Sequence, residues 1–389
     1  MTDSESRLEP TERTKIVVWA AAAGRCTFCN RLVLENEDLG EPVPIGELAH
    51  NIGWGKKSPR GKSVLTPEQR REAANLLLLC RTCHKSVDDR GVVGRYTVEE
   101  LARLKREHEQ RIRFLTDIDA DRQAAIVRMV GPVRDANPEL SYDTVLGATT
   151  AAGLFPTLLP GSNSAEYDLD LRQRADFGTP AYFSNCAEEI NVLVRKIDDG
   201  ARRGEIKRLA VFAFARIPLL IHLGARLDDK LPTLVFQRQR VDGTNAWRWP
   251  ADPPPPATFE TSLLQSGTDS RRVSLLVNLS GTIQRQELPP HIDDAYNVYV
   301  LAPTTPSQPH PSLISSPPAL LNFDYAVRAF LARVEAEHGK IDRVDLFAAI
   351  PLSAAISLGR VLMPNLSPAW AVFDRDEQRQ FFKALEVRR

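Results

Sequence analysis

The sequence predicts an α/β protein in two parts: a small N-terminal domain stapled by a metal, and a larger C-terminal domain built on a mostly parallel sheet. Three observations predict this. Two C-x2-C pairs, Cys26/Cys29 and Cys80/Cys83, fall in the first 120 residues. Beyond residue 165, short apolar runs alternate with helical stretches, the pattern of strand–helix–strand units. A chain of 389 residues exceeds one ordinary core and fits two or three domains.

Composition sets the class. Hydrophobic residues make up 43% and charged residues 26%, as in soluble globular proteins. No apolar run approaches the ~20 residues of a membrane helix, so no membrane partner is expected. The start, MTDSESRLEPTERTK, lacks the apolar stretch of a signal peptide, and the expected location is the bacterial cytoplasm. In that reducing setting Cys26, Cys29, Cys80 and Cys83 read as metal ligands, and Cys186 as a small buried apolar residue.

The N-terminal domain is assigned residues 1–120. It ends in TVEELARLKREHEQRIRFL, where Thr97 and Glu100 match a capping box and Leu101, Leu104 and Ile112 supply part of an apolar face. His108, among charges on that helix, reads as a surface residue. Net charge is zero overall, yet residues 50 to 116 hold 15 Lys and Arg against 8 Asp and Glu, an excess that suits phosphate. Residues 121–164, rich in Gly, Pro, Ser and Thr, read as a linker.

In the C-terminal domain, 165–389, buried strands are expected at 208–215, 233–239, 272–280, 296–303, 343–351 and 369–375. Helices are expected in the segments beginning ADFGTPAYF, FDYAVRAF and SAAISLGR. The DPPPP stretch at 252–256 continues neither strand nor helix. In open α/β sheets, ligands settle beyond the carboxyl ends of the strands, near helix N-termini. That rule places Arg216, Ser280, Gly281, Pro351 and Ser353 at a ligand rim, with Gln237 offered to a base edge and Trp247 or Trp249 to a base face.

Four thiolates around one Zn²⁺ leave no open coordination position, so the zinc is structural. It leaves His50, Asn75 and His84 unexplained. Their order, interleaved with the cysteine pairs and ending in NLLLLCRTCH, resembles the HNH endonucleases, whose zinc-bearing members carry N-L-x-x-L-C-x-x-C-H. The resemblance implies a ββα-metal fold. In it His50 is the general base, Asn75 fixes the loop that orients His50, and His84 ligates Mg²⁺ or a similar divalent cation. Many family members place an aspartate, a second metal ligand, directly before the base; here that position is Ala49, and Glu47 is the nearest carboxylate on the same strand face. Lys56, Lys57, Arg60 and Lys62, in the loop between the two elements, would grip the backbone of double-stranded DNA without reading bases.

The strings VFQRQRVDGTNAWRWP, LFAAIPLSAAISLGRVLMP and AWAVFDRD resemble the SAVED domain, a fusion of two CARF-like Rossmann-type units in bacterial anti-phage systems. The whole chain thus resembles a SAVED-HNH effector of a CBASS operon. That resemblance implies a cyclic di- or oligonucleotide activator, non-specific DNA cleavage, and a homo-oligomer of four or more subunits when ligand is bound. Two alternatives stay open: a restriction-type HNH enzyme whose C-terminal domain recognises DNA or a modified base, and a non-catalytic zinc-ribbon nucleotide receptor.

Overall fold

The computed structural model describes residues 8–35, 42–89, 91, 93–116, 120–133, 140–157, 167–177, 179, 181–239, 246–304 and 307–389. It divides into two compact units, Met1–Ile118 and Asp119–Arg389.

The first unit contains α1 (Glu12–Ala21), β1 (Gly46–His50), α2 (Pro67–Arg70), β2 (Leu76–Cys80), α3 (Arg81–Asp88) and α4 (Val98–Thr116). β2 is LLLLC, buried along its whole length, and pairs antiparallel with β1 from Gly46↔Cys80 to His50↔Leu76. Its leucines pack with Val18, Ala22, Val33, Ala49, Val87 and Leu101 in a core too small to fold comfortably unaided. Thr97 caps α4 by accepting from the Glu100 N–H, while the Glu100 carboxylate turns to Arg103. His108 corrects its surface reading. It is buried, its Nε2 meets the Ala22 carbonyl at 3.2 Å, and burial lowers its pKa.

The second unit runs β3 (Gln123–Val130), α5 (Tyr142–Ala151), β4 (Phe155–Pro156), β5 (Asp168–Asp170), α6 (Ala181–Arg202), β6 (Leu209–Phe214), α7 (Ile217–Leu227) and β7 (Thr233–Val235). It continues with β8 (Phe259–Gln265), β9 (Val273–Asn278), β10 (Asn297–Pro303), α8 (Pro317–His338), β11 (Arg343–Ala349), α9 (Leu352–Arg360), β12 (Ala369–Arg375) and β13 (Phe381–Val387). One sheet has the order β4-β3-β6-β7, with β5 also on β3, and is parallel throughout. The other has the order β13-β12-β11-β9-β10-β8; its four inner strands are parallel and both edge strands antiparallel. α6 buries Phe183, Cys186, Ile190, Leu193, Val194 and Ile197 at helical spacing, and burial pushes the Cys186 thiol up to about 11.

The linker reading of 121–164 is corrected. β3, a buried inner strand, and α5 with its Ser141 cap both lie in it; 134–139 and 158–164 are outside the described residues. The expected strand 233–239 ends at Val235, because Phe236 and Gln237 turn into the interior.

A duplication organises this unit. F-A-x-I-P-L occurs at 214–219 and 347–352, and I-x-L-G-x-x-L at 221–227 and 356–362, each set leading from an inner strand into α7 or α9. The two helices then cross at equivalent glycines. A Cβ on Gly224 would lie 1.9 Å from the Ile356 carbonyl oxygen, and one on Gly359 2.0 Å from that of Ile221. Backbone meets backbone, so no rotamer change relieves an added methyl. Gly224→Ala should destabilise the protein by about 1–3 kcal/mol, read as a lowered denaturation midpoint with unchanged slope.

Candidate functional site

The metal centre forms where α3 leaves β2. Cys26 and Cys29 lie in the loop after α1, held by Cys26 N–H to the Arg31 carbonyl, 2.8 Å, and Asn30 N–H to the Cys26 carbonyl, 2.9 Å. Cys80 closes β2 and caps α3, its sulfur accepting from the Cys83 N–H at 3.5 Å. All four sulfurs lie within 4.8 Å of one another, and Cys29 Sγ to Cys80 Sγ is 3.8 Å. The edge of a tetrahedron with Zn–S bonds of ~2.3 Å is about that length. Burial pushes the Cys26 and Cys83 thiols up; at Cys80 burial is outweighed by the Cys83 N–H and neighbouring thiols, which hold its pKa down. The cluster can therefore hold a metal such as zinc.

A second set of polar residues lies along β1, the start of β2 and α3. Asn75, buried at the head of β2, accepts from the Ile52 N–H at 2.8 Å and donates to the Ile52 and Arg70 carbonyls at 2.9 and 2.8 Å. Asn51 N–H donates to the Asn75 carbonyl at 2.8 Å. The chain just after His50 is thereby fixed. On α3, His84 meets Glu47 Oε2 through Nδ1 at 2.7 Å and Asp88 Oδ2 through Nε2 at 3.5 Å. The Asp88 bond, opposed by burial and helped by Glu47, raises the His84 pKa. Ala49, on the same face as Glu47, is in the core. Asp88 was not singled out from sequence; its i,i+4 spacing to His84 was the available signal.

The basic loop is corrected in one residue. Lys56, Lys57 and Lys62 are exposed. Arg60 is not available to phosphate, since its side chain is 6% exposed and donates to the Asn51 and Val87 carbonyls and to Asp88 at 2.6 Å. Arg70, buried, likewise donates to the carbonyls of Gly53, Gly61, Ser63 and Leu65. Two guanidiniums latch the loop from inside.

In the second unit most of the expected rim residues face inward. Gln237 Oε1 accepts from Ser353 N–H at 3.0 Å and Ser353 Oγ at 2.8 Å, so the pair joins the end of β7 to the start of α9. Trp247 is fully buried, edge-on to Phe212, and Trp249 packs against the same core. Pro351 is buried as the N-cap of α9. Arg216 pairs with Asp374 at 2.8 Å, donates to the Arg375 carbonyl and lies over the Phe183 ring. Ser280 and Gly281 remain half-exposed, and Ser280 N–H donates to the Ala349 carbonyl. Sequence reasoning missed Arg238, which lies over Phe214 at the end of β6.

The second unit thus joins two α/β layers through duplicated strand–helix turns. Residues 190–387 match the family described as SAVED, SMODS-associated and fused to various effectors sensor domain. The chain belongs to that family. Among solved structures, the Acinetobacter baumannii Cap4 SAVED/CARF-domain containing receptor with the cyclic trinucleotide 3'3'3'-cAAA is similar at 12% identity and TM-score 0.45, covering 80% of this chain and 63% of that one. The same receptor with 2'3'3'-cAAA gives 14%, 0.44, 80% and 62%. The Moraxella osloensis Cap4 receptor gives 12%, 0.37, 68% and 50%. The alignments thus span under two thirds of those chains. No curated protein matches the chain. No described helix is long and apolar enough to cross a membrane.

Elemental analysis of dialysed protein should find one zinc per chain. Cys80→Ser should expose residues 8–116 to limited proteolysis, because a thiolate site of this kind contributes directly to folding. Asn75→Ala should raise amide exchange at 51–53, the loss of buried partners costing at least about 1–3 kcal/mol.

Proposed function

We propose that the chain is a gated nuclease: the SAVED unit senses a cyclic oligonucleotide, the ligand class its sequence resemblance implies, and the N-terminal unit hydrolyses double-stranded DNA in anti-phage defence. One observation carries the reading. Asn75 clamps the chain just after His50, and His84, on the helix that follows β2, stands between two carboxylates; a structural zinc requires neither.

In this reading the attacking water gives its proton to the imidazole of His50, the general base. Asn75 holds the loop so that His50 keeps one position. Exposed Lys56, Lys57 and Lys62 contact phosphates, giving salt-sensitive binding with little sequence preference. His84, with Glu47 and Asp88, offers the nitrogen and oxygens that suit a hard divalent cation such as Mg²⁺. Such a cation, when bound, supplies positive charge at the scissile phosphate. Ligand-driven assembly into a tetramer or larger form completes the switch.

The test is plasmid cleavage with Mg²⁺, with and without a cyclic-oligonucleotide panel. Cleavage should appear only with ligand. His50→Ala should lower it ~10² to 10⁴-fold while leaving ligand affinity unchanged. Near wild-type cleavage by His50→Ala would sink the nuclease assignment and favour a zinc-ribbon receptor; ligand-independent cleavage would favour a restriction-type enzyme.

The pH dependence has a definite sign. A protonated imidazole cannot ligate, and the His84 pKa is raised above the usual ~6.5 of histidine. Cleavage at limiting Mg²⁺ should therefore fall as pH drops through a value above ~6.5 and recover with added Mg²⁺. A pH-rate profile at two Mg²⁺ concentrations checks this.

A further inference from the structure

The loop 51–65 carries apolar side chains outward among its lysines. Trp54 is 42% exposed and Val64 99% exposed, and Lys56, Lys57 and Lys62 between them are exposed as well. Single apolar side chains on a surface are ordinary, but a loose loop would lay a tryptophan against the nearest apolar wall. This loop is not loose.

The backbone is held on both sides of Trp54. Before it, buried Arg70 donates to the Gly53 carbonyl, and the Gly53 N–H donates to the Pro59 carbonyl at 3.2 Å. After it, the Gly55 N–H donates to Ser58 Oγ at 3.1 Å, and the Gly55 carbonyl accepts from the Ser58 N–H at 3.0 Å. A Cβ on Gly61 would lie 2.0 Å from the Gly55 carbonyl oxygen, so the two limbs of the loop touch backbone to backbone. Val64 is fixed by the same guanidinium, since Arg70 also donates to the Ser63 and Leu65 carbonyls at 3.3 and 3.1 Å. One buried cation thus presents both apolar side chains to solvent. Trp54 follows His50 by four residues, so their Cα atoms are at most about 14 Å apart. Bases along a strand repeat every ~3.4 Å, which puts Trp54 within about four base steps of a phosphate held at His50.

We infer that Trp54 is a wedge that presses into the base stack near the scissile phosphate, so that the preferred substrate is duplex DNA whose bases unstack easily. The inference rests on the nuclease reading above. The partner that suits a held indole among three exposed lysines is a polyanion with an aromatic interior: the ammoniums take the phosphates and the indole face takes a base, whatever its identity. Opening an intact base step has a cost that the new stacking contact must offset. A mismatched pair, or a flexible pyrimidine–purine step, has lost part of its stacking already and opens more readily. The loop therefore selects deformability and not sequence, and its rigidity keeps the indole from folding back when DNA is absent.

The experiment is equilibrium binding of the full zinc-loaded chain carrying His50→Ala to short DNA duplexes, in Mg²⁺, with and without the cyclic-oligonucleotide panel. Each duplex carries 2-aminopurine, whose fluorescence rises when its stack opens, beside either a matched or a mismatched pair. The mismatched duplex should bind about tenfold tighter than the matched one, with a rise in fluorescence. Adding Trp54→Ala should weaken the mismatched complex about tenfold and remove both the preference and the rise, while the melting temperature and the salt dependence of binding stay as they were. Trp54→Phe, which keeps an aromatic face, should restore most of the preference. Lys57→Ala should do the opposite of Trp54→Ala, lowering the salt slope by about one and keeping the preference. Equal binding of the two duplexes, or unchanged affinity and preference in Trp54→Ala, would overturn the inference and leave the nuclease reading standing. Binding of neither duplex under any condition would overturn the nuclease reading and the wedge with it.

Discussion

The crossing of α7 and α9 is the constraint on which the sensor unit depends. Each helix follows an inner parallel strand of a different sheet, and they meet where Gly224 faces the Ile356 carbonyl and Gly359 faces the Ile221 carbonyl. The contact is reciprocal between equivalent positions of a duplicated segment, as in an isologous dimer interface folded into one chain. With the backbones so close, side chains cannot fill the seam, and the two sheets are fixed at one separation. Polar links gather at the same end: Gln237 closes the N-terminus of α9, and Arg216, at the N-terminus of α7, reaches Asp374 on the other sheet. Both helix starts are thus tied to strand ends before any ligand arrives.

The N-terminal unit solves a different problem. Its core is essentially β2 and what touches it, too little apolar surface to order a loop as long as 51–65. Polar groups order it instead. Arg60 and Arg70 satisfy its carbonyls from inside, Asn75 fixes its beginning, and the cysteine cluster fastens the other end of β2 to the loop after α1. The three exposed lysines are therefore presented on a held surface, so their spacing is part of the fold. Asp88 shows the economy of the arrangement, since one carboxylate anchors Arg60 and faces His84.

Much of this was legible in the sequence because it is local. C-x2-C spacing, the wholly apolar β6, the largely apolar β9 and β11, and the amphipathic α6 announce themselves within a few residues. What failed depends on partners far away in sequence. β3 was hidden because its apolar run is followed by a stretch rich in Gly, Pro and Thr, and only pairing with β6 marks it as an inner strand. β8 and β13 are edge strands with mixed exposure, which periodicity reads poorly. Arg60 looked like its lysine neighbours until the carbonyls of Asn51 and Val87 turned it inward, and Gln237 and Trp247 look like ligand groups until Ser353 and Phe212 are seen beside them.

That inward turn bears on how such a sensor could switch. A ligand entering at the strand ends must replace the Gln237–Ser353 and Arg216–Asp374 bonds, or leave them and touch little. Each neutral bond contributes about 0.5–1.5 kcal/mol net and each charged one about 1.5–3. Exchanging them inside one chain therefore yields only a small difference between two states. Moving an equilibrium from 1:99 to 99:1 requires about 5.5 kcal/mol of differential binding. Rewiring this seam alone falls short of that. The remainder is more readily drawn from contacts between subunits, where each new interface adds its own free energy and concentration contributes through mass action. For a domain whose halves are already locked by two glycines, assembly is the softer coordinate, and this rigidity is the physical ground for the gating by association proposed above.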